Sequence, residues 1–274
     1  MTKQHLPSIY LFVALACEAK PLVHFFGLKK QPLNCPFAIY KNDDIVLVVA
    51  GVGKIAMAGS VAYTMAIFSN VQVPILINIG IAGHQSQALG NLCVASKIID
   101  VETGKCFYPQ LIGNNWPESF QIKTFSIPCA QYNENCLNDM EASAFCEMAI
   151  KFSSSELIHS LKIVSDNETS SIDNINAKLV AEWITKQLTD IEMVLKKSSL
   201  LRKPFVTIEL NELTEIVNNW HFTVTGQIKL KALLMRWRVL TSQPWKGFYA
   251  KDLSNGKVLL QRLEKDINQL ELKL

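Results

Sequence analysis

Short apolar runs alternate along this chain with stretches whose apolar residues recur at helical spacing. Ile9–Ala16, Ile45–Ala50 (IVLVVA), Ile75–Ile79 (ILINI), Leu92–Asp100, Gln121–Pro128 and Leu161–Val164 (LKIV) read as strands. Lys54–Phe68, Asp139–Phe152 and Asn174–Val194 read as helices, the last with Ile175, Leu179, Trp183, Ile184 and Leu188 on its apolar side. Strands that are apolar almost throughout have no solvent face, so the pattern predicts an α/β fold whose sheet is covered on both sides.

The polar and glycine-rich residues gather just after the strands: Cys17-Glu18, Gly51-Val52-Gly53, Gly80–His84 and Ser165-Asp166-Asn167. In α/β folds that edge of the sheet binds ligands. The GVGK turn matches neither a dinucleotide fingerprint nor a phosphate-binding loop. By itself it is a tight strand-to-helix turn that can bring backbone N–H groups near a ligand.

Lys196–Pro204 (KKSSLLRKP) reads as a linker, which divides the chain into a domain over 1–196 and an extension over 197–274. The extension reads as mainly helical. Thr225 is placed to cap a helix running to about Leu240, with Leu230, Leu233, Trp237 and Leu240 on one face and Lys229, Lys231, Arg236 and Arg238 beside it. A last helix places Leu260, Leu263, Ile267, Leu270 and Leu274 at spacings of three and four. That seam is too short for a coiled coil and is expected to pack on the rest of the chain. Ser254–Lys257 (SNGK) reads as a hairpin turn.

Composition adds an asymmetry. Nearly half of the 274 residues are hydrophobic, enough for a sizeable core, and the net charge is only +3. From Leu200 onward the balance is +5, and before it −2. All four arginines, Arg202, Arg236, Arg238 and Arg262, lie in the basic part. The seven cysteines have no metal-binding spacing and read as reduced core thiols of a cytoplasmic protein. No run has the length of a membrane span. Ile9–Cys17 has the length of a signal-peptide core, with Cys17 as a lipidation site. Its charged flank is thin and Glu18 follows directly, so a buried first strand explains it better.

Five pieces, taken in order, resemble the nucleoside phosphorylase-I superfamily: ALACEAKPL (14–22), VVAGVGKIAMAG (48–59), INIGIAGH (77–84), DMEASA (139–144) and VSDN (164–167). The resemblance covers roughly residues 8–195. It is nearest to the methylthioadenosine/adenosylhomocysteine nucleosidases and futalosine hydrolases. It implies a central mixed, mostly parallel twisted sheet flanked by helices. It also implies a purine nucleoside as small-molecule partner, a homo-oligomer, and neither metal nor organic cofactor.

The same resemblance assigns roles. Glu141 would accept the two ribose hydroxyls, as one carboxylate can. Met140 would lie on the sugar's apolar face, and Asp139 would cap the following helix. Asp166, oriented by Ser165, would supply the acid that meets the leaving purine. Glu18 would activate water. Gly51, Gly80, Ile81 and Ala82 would form the wall of the site. His84 stands where a small residue is common in the family, and would either contact ligand or simply pack. The segment between FYP and DMEASA is short, and its base-stacking aromatic is not recognisable. Phe125 is taken for that role, with Phe107 and Trp116 as alternatives.

A phosphorylase must hold a phosphate dianion, usually with arginine forks, and residues 1–201 have no arginine. Glu18 would repel that anion; only Lys20 and Lys54 are at hand. Hydrolysis of the N-glycosidic bond is therefore expected, ahead of phosphorolysis and of a nucleoside-binding or scaffold protein without catalysis. The basic extension raises nucleic acid as a partner, but a basic helix is more often a solvated face, so none is expected.

Overall fold

The structure is a computed structural model, described for residues 7–32, 35–68, 73–132, 134–206, 211–250 and 253–270. It divides into two compact units, residues 1–203 and 204–274.

The first unit begins with strand β1 (Ile9–Val13), helix α1 (Ala16–Phe25), strands β2 (Lys29–Lys30), β3 (Ala38–Lys41) and β4 (Ile45–Val49), and helix α2 (Lys54–Ile67). Strands β5 (Ile75–His84), β6 (Leu92–Asp100), β7 (Cys106–Phe107), β8 (Glu118–Thr124) and β9 (Leu137–Asp139) follow. Helix α3 (Ala142–Ala149), strand β10 (Ile158–Asp166) and helices α4 (Ala177–Lys186) and α5 (Leu188–Val206) complete the series.

All ten strands join one mixed sheet whose longest pairings, β5–β10 and β6–β8, are parallel. β5 organises it. One edge of β5 pairs with β10 along nearly its whole length. The other edge pairs with β1 over Ile75–Asn78 and then with β9 over Gly83–His84. β10 also pairs with β6, β6 with β8, and β8 with β9, so β5, β10, β6, β8 and β9 close into a ring. β1, β4, β3 and β2 extend from β5 as an open sheet. Between Asn78 and Gly83 the β1/β9 edge of β5 has no strand beside it among the described residues.

β1, five residues without a solvent face, lies buried between β4 and β5. Helices α2 and α3 cover one face, where Met57, Val61, Ala142, Phe145 and Cys146 pack on Phe12, Val48 and Ile122. All seven cysteines are free, but Cys106 is exposed rather than in the core.

Several expected boundaries move. The segment Gly80–His84, expected just after a strand ending at Ile79, is part of that strand, because β10 and β9 pair with it. The expected helix Asp139–Phe152 starts only at Ala142, since Leu137–Asp139 pair with β8 and β5. The long helix Asn174–Val194 is two helices, broken at Gln187 and opened by Asn176, whose side chain caps Lys178 and Leu179 N–H groups. The expected linker Lys196–Pro204 is helical: α5 runs through it to Val206 and holds Pro204 in its final turn.

The second unit contains α6 (Asn211–Asn219), α7 (Val224–Thr241) and α8 (Gly256–Asn268) around its own core of Ile216, Leu230, Leu234, Trp245, Leu259 and Leu263. Thr223, not Thr225, caps α7. Leu240 is exposed, and Leu234 takes its place inside. SNGK is not a hairpin turn; Asn255 caps α8 through the Lys257 and Val258 N–H groups. Of the seam, Leu263 and Ile267 are buried, and Leu274 falls outside the described residues. Lys229 and Arg238 are paired with Glu264 and Glu212 at 3.0 Å. Among the described residues no helix is long and apolar enough to cross a membrane.

Candidate active site

The gap beside β5 is the floor of a cavity of about 140 Å³. Its walls come from the residues just after β1 (Ala14, Leu15) and the first turn of α1 (Glu18), the C-terminal part of β5 (Ile81, Ala82, Gly83), the β9–α3 turn (Asn138–Glu141) and the end of β10 (Ser165, Asp166). Val52, Pro128, Cys129, Ile172 and Ile175 add an apolar rim.

Glu18 stands in the first turn of α1 and folds back on the chain. Its Oε2 accepts the N–H groups of Ala14 and Leu15, both at 2.8 Å, and Oε1 accepts that of Ile81 at 3.3 Å. The Ile81 N–H lies in the unpaired stretch of β5, so the side chain substitutes there for a missing strand. Burial pushes the Glu18 carboxyl up to about 7, against the opposing pull of the Leu15 and Ala14 amides and of Lys162; Glu141 adds to the rise. Gly80 makes this approach possible: a Cβ on it would meet Glu18 Oε1 at 3.1 Å and Lys162 Nζ at 3.4 Å.

Asp139 and Glu141 serve different ends. Asp139 Oδ2 accepts the N–H groups of Glu141 (3.1 Å) and Ala142 (2.8 Å), which caps the start of α3. Its Oδ1 accepts the Thr124 hydroxyl at 2.6 Å. Glu141 instead turns its carboxylate into the cavity. Its Oε1 accepts the Gly53 N–H at 2.8 Å, a bond that needs the positive φ of +94° that glycine supplies there. The GVGK turn thus holds a carboxylate in place.

Lys162, on β10, lies beneath this group with no solvent exposure. Its Nζ is 2.8 Å from Asp139 Oδ2 and 4.0 Å from Glu141 Oε2. Burial alone would lower its pKa, but Asp139, Glu141 and Glu18 outweigh that and hold it above the ordinary lysine range. Burial raises Glu141, with Lys162 opposing.

Asp166 ends β10 on the far wall. Its Oδ1 accepts the Ser165 hydroxyl and its Oδ2 the Tyr132 hydroxyl. Gly83 lies directly under it, where a Cβ would collide with Oδ2.

The structure therefore gathers Glu18, Met140, Glu141, Ile81, Ala82, Ser165 and Asp166 around one cavity. Four other expected residues do not line it. Gly51 bonds to the Ala14 carbonyl and shapes the turn, and Gly80 lies behind Glu18. His84 is fully buried; its Nδ1 accepts the Ser86 and Gln87 N–H groups, and its ring packs edge-on against Phe120. It secures the end of β5. Phe125 is half-buried beside the cavity, with its N–H bonded to the Asp139 carbonyl. Of the alternative aromatics, Phe107 packs on the core and Trp116 stacks on His159 beneath Lys197.

Sequence reasoning missed Lys162 and Tyr132. A lysine within the otherwise apolar LKIV strand was the available signal for the first, because a buried cation needs a buried anion. Nothing in the irregular segment around Tyr132 pointed to the second.

No family model matches the chain, and no curated protein matches it by sequence. Solved structures do match. A 5′-methylthioadenosine/S-adenosylhomocysteine nucleosidase from Helicobacter pylori, crystallised with butyl-thio-DADMe-Immucillin-A, superposes with a TM-score of 0.58 at 14% identity. That match covers 70% of this chain and 99% of the other. The 5′-methylthioadenosine nucleosidase of Arabidopsis thaliana gives 0.56 at 18% identity, over 72% and 96%. A futalosine hydrolase mutant of Helicobacter pylori gives 0.54 at 13%, over 70% and 100%. This chain has the fold of those nucleosidases.

Proposed function

We propose that the first unit is a nucleosidase that hydrolyses the N-glycosidic bond of a purine nucleoside, or of one modified at its 5′ position, and releases the free base. The observation that carries this reading is the convergence of three carboxylates from distant segments, Glu18, Glu141 and Asp166, on one cavity at the C-terminal ends of β1, β5 and β10. The fold shared with nucleosidases supports it.

Each carboxylate is held in a way that suits one step. Glu141 has one oxygen fixed by the Gly53 N–H and keeps lone pairs for the two ribose hydroxyls. Met140 lies against the sugar. A carboxylate offers about four acceptor positions, and backbone N–H groups fill three on Glu18. The fourth takes a water. With its pKa near 7, Glu18 is matched to removing a proton from that water at neutral pH. As the C1′–N bond breaks, its electrons go to the base, and Asp166 gives a proton to a ring nitrogen. Water then adds to C1′ while Glu18 accepts its proton. The sugar passes through an oxocarbenium-like state, which a cavity rich in carboxylates stabilises.

Phosphate fits this cavity poorly. Lys20 is exposed and outside it. Lys54 is bound to Asp100 at 2.6 Å and to Glu102. Arg202 donates to the Val73 carbonyl, before the start of β5 and so at the opposite end of that strand. Lys162 is surrounded by carboxylates.

The test is base release from 5′-methylthioadenosine, adenosylhomocysteine and inosine, with and without phosphate. Release without phosphate is expected, falling about 10²–10⁴-fold in Asp166→Asn and in Glu18→Gln. Strict dependence on phosphate would make the protein a phosphorylase. Binding without turnover would make it a nucleoside-binding protein.

A further inference from the structure

Tyr132 touches the carboxylate assigned above to the leaving base, yet neither the motifs nor the strand pattern singled it out. Its hydroxyl donates to Asp166 Oδ2, while Ser165 donates to Oδ1. Each oxygen of Asp166 therefore meets one hydroxyl. Gly83 supports the pair independently. A Cβ at position 83 would collide with Asp166 Oδ2 and lie 2.8 Å from Tyr132 Cε1. The β5 backbone comes up directly beneath both side chains, and only a glycine leaves room for them together.

We propose that Tyr132 is a positioning residue for Asp166, and that its hydroxyl stabilises, by donating a hydrogen bond, the negative charge Asp166 acquires on giving its proton to the leaving base. This rests on the nucleosidase reading. A hydroxyl rotates about its C–O bond. It turns its proton away from a protonated carboxylic acid and donates to the carboxylate that remains. The bond is therefore stronger after proton transfer than before it, which is the condition for speeding the step rather than only binding substrate. Asp166 loses the proton, the base gains it together with the C1′–N electron pair, and Tyr132 keeps its own proton throughout. Burial, reinforced by Asp166, pushes the phenol well above the ordinary tyrosine range, so it remains a donor.

Other titratable groups face the same space. Glu18 of α1, and Asp139 and Glu141 of the β9–α3 turn, line the cavity with Asp166. Lys162 of β10 lies beneath them. Cys129 shares the segment of Tyr132, His84 follows Gly83 on β5, and Glu168 follows β10. None of these is altered by removing the Tyr132 hydroxyl, so the comparison of Tyr132→Phe with wild type isolates one hydrogen bond.

The experiment titrates the Asp166 carboxyl directly, by carbon-13 NMR of the full chain, with its signal identified by its loss in Asp166→Asn. The pH profile of base release is recorded alongside. In Tyr132→Phe the Asp166 titration is expected about one to two pH units higher, because one hydrogen bond to the charged form is gone. The alkaline limb of base release moves up with it, and kcat falls about 10-fold. Tyr132→Leu, which also removes the ring, gives the same shift in titration if the hydroxyl is what acts. An unchanged Asp166 titration in both variants overturns the proposal, even if activity falls through lost packing. A protein that releases no base from any nucleoside would overturn the nucleosidase reading, and with it the role in base departure. The NMR titration would then still decide whether Tyr132 governs Asp166.

Discussion

The α1 side and the α3 side of the cavity hold their carboxylates in opposite ways. On the α1 side, Glu18 rests on three backbone N–H groups and, among the described residues, has no cation in ion-pair contact with it. Burial dominates, and its pKa rises to about 7. On the α3 side, Asp139 meets an ammonium at 2.8 Å as well as two N–H groups and a hydroxyl. Glu141 stands between, 4.0 Å from the same ammonium. Backbone amides fix where a carboxylate points, whereas a cation in contact decides how firmly its charge is anchored. A site that needs one anchored carboxylate and one that titrates near neutrality obtains both by placing a single lysine off-centre.

Removing that lysine should have the largest effect. Lys162→Met leaves the α3-side carboxylates buried without a cation, and about 3–5 kcal/mol of stability is expected to be lost at pH 7 in urea unfolding. The loss should shrink at pH 4, because burial raises the Glu141 carboxyl and favours its protonated form there. A loss below about 1 kcal/mol at pH 7 would remove the asymmetry between the two sides.

Glu18 gives the next largest effect, with a definite sign. Its folded pKa of about 7 lies above the ordinary value of 4.5. Between those two pH values the folded state keeps a proton that the unfolded chain has released, so stability falls as pH rises through the window. Glutamine does not titrate. Relative to wild type, Glu18→Gln should therefore gain about 2–3 kcal/mol between pH 5 and pH 8. A difference independent of pH would mean that Glu18 titrates in the folded protein as it does in the unfolded one.

Two smaller changes probe the supports of the α3 side. Thr124→Val removes the donor to Asp139 and the acceptor of the Ser143 N–H, both buried, at a cost of about 2 kcal/mol in the same unfolding measurement. Gly53→Ala meets no atom within 4 Å, so its cost is only that of the positive φ, about 1–2 kcal/mol. Because its N–H holds Glu141, the KM for nucleoside should rise in Gly53→Ala more than the stability loss suggests.

The α/β class was legible because β1 and β4 are apolar without alternation and the first half of β5 nearly so, which leaves a sheet no exposed face. The ring was not, since the closure between β5, β10 and β6 depends on pairings far apart in sequence. For the same reason GIAGH read as lying beyond its strand: its glycines suggest an end, but β10 and β9 pair with it and Asp166 needs the space above Gly83. Glu18, Glu141 and Asp166 stood out as carboxylates beside apolar strands. Asp139 was readable as a cap by its place before α3. Tyr132 was not readable, because its partner is 34 residues away and its own segment has no periodicity. The helical Lys196–Pro204 was misread because its charge and proline outweighed the helical spacing of the buried Ile191, Val194, Leu195 and Ser198 that leads into it.

The ring of strands also has a consequence for the order in which the protein is made. β10 is the last strand of the first unit to leave the ribosome, and it is the one that joins β5 to β6. Until Asp166 has been synthesised, β5 has a long apolar edge with no neighbour, the kind of edge that recruits other chains. The strand that carries Asp166 is thus also the strand that covers the open edge of β5. A chain stopped before Ile158 would lose both at once.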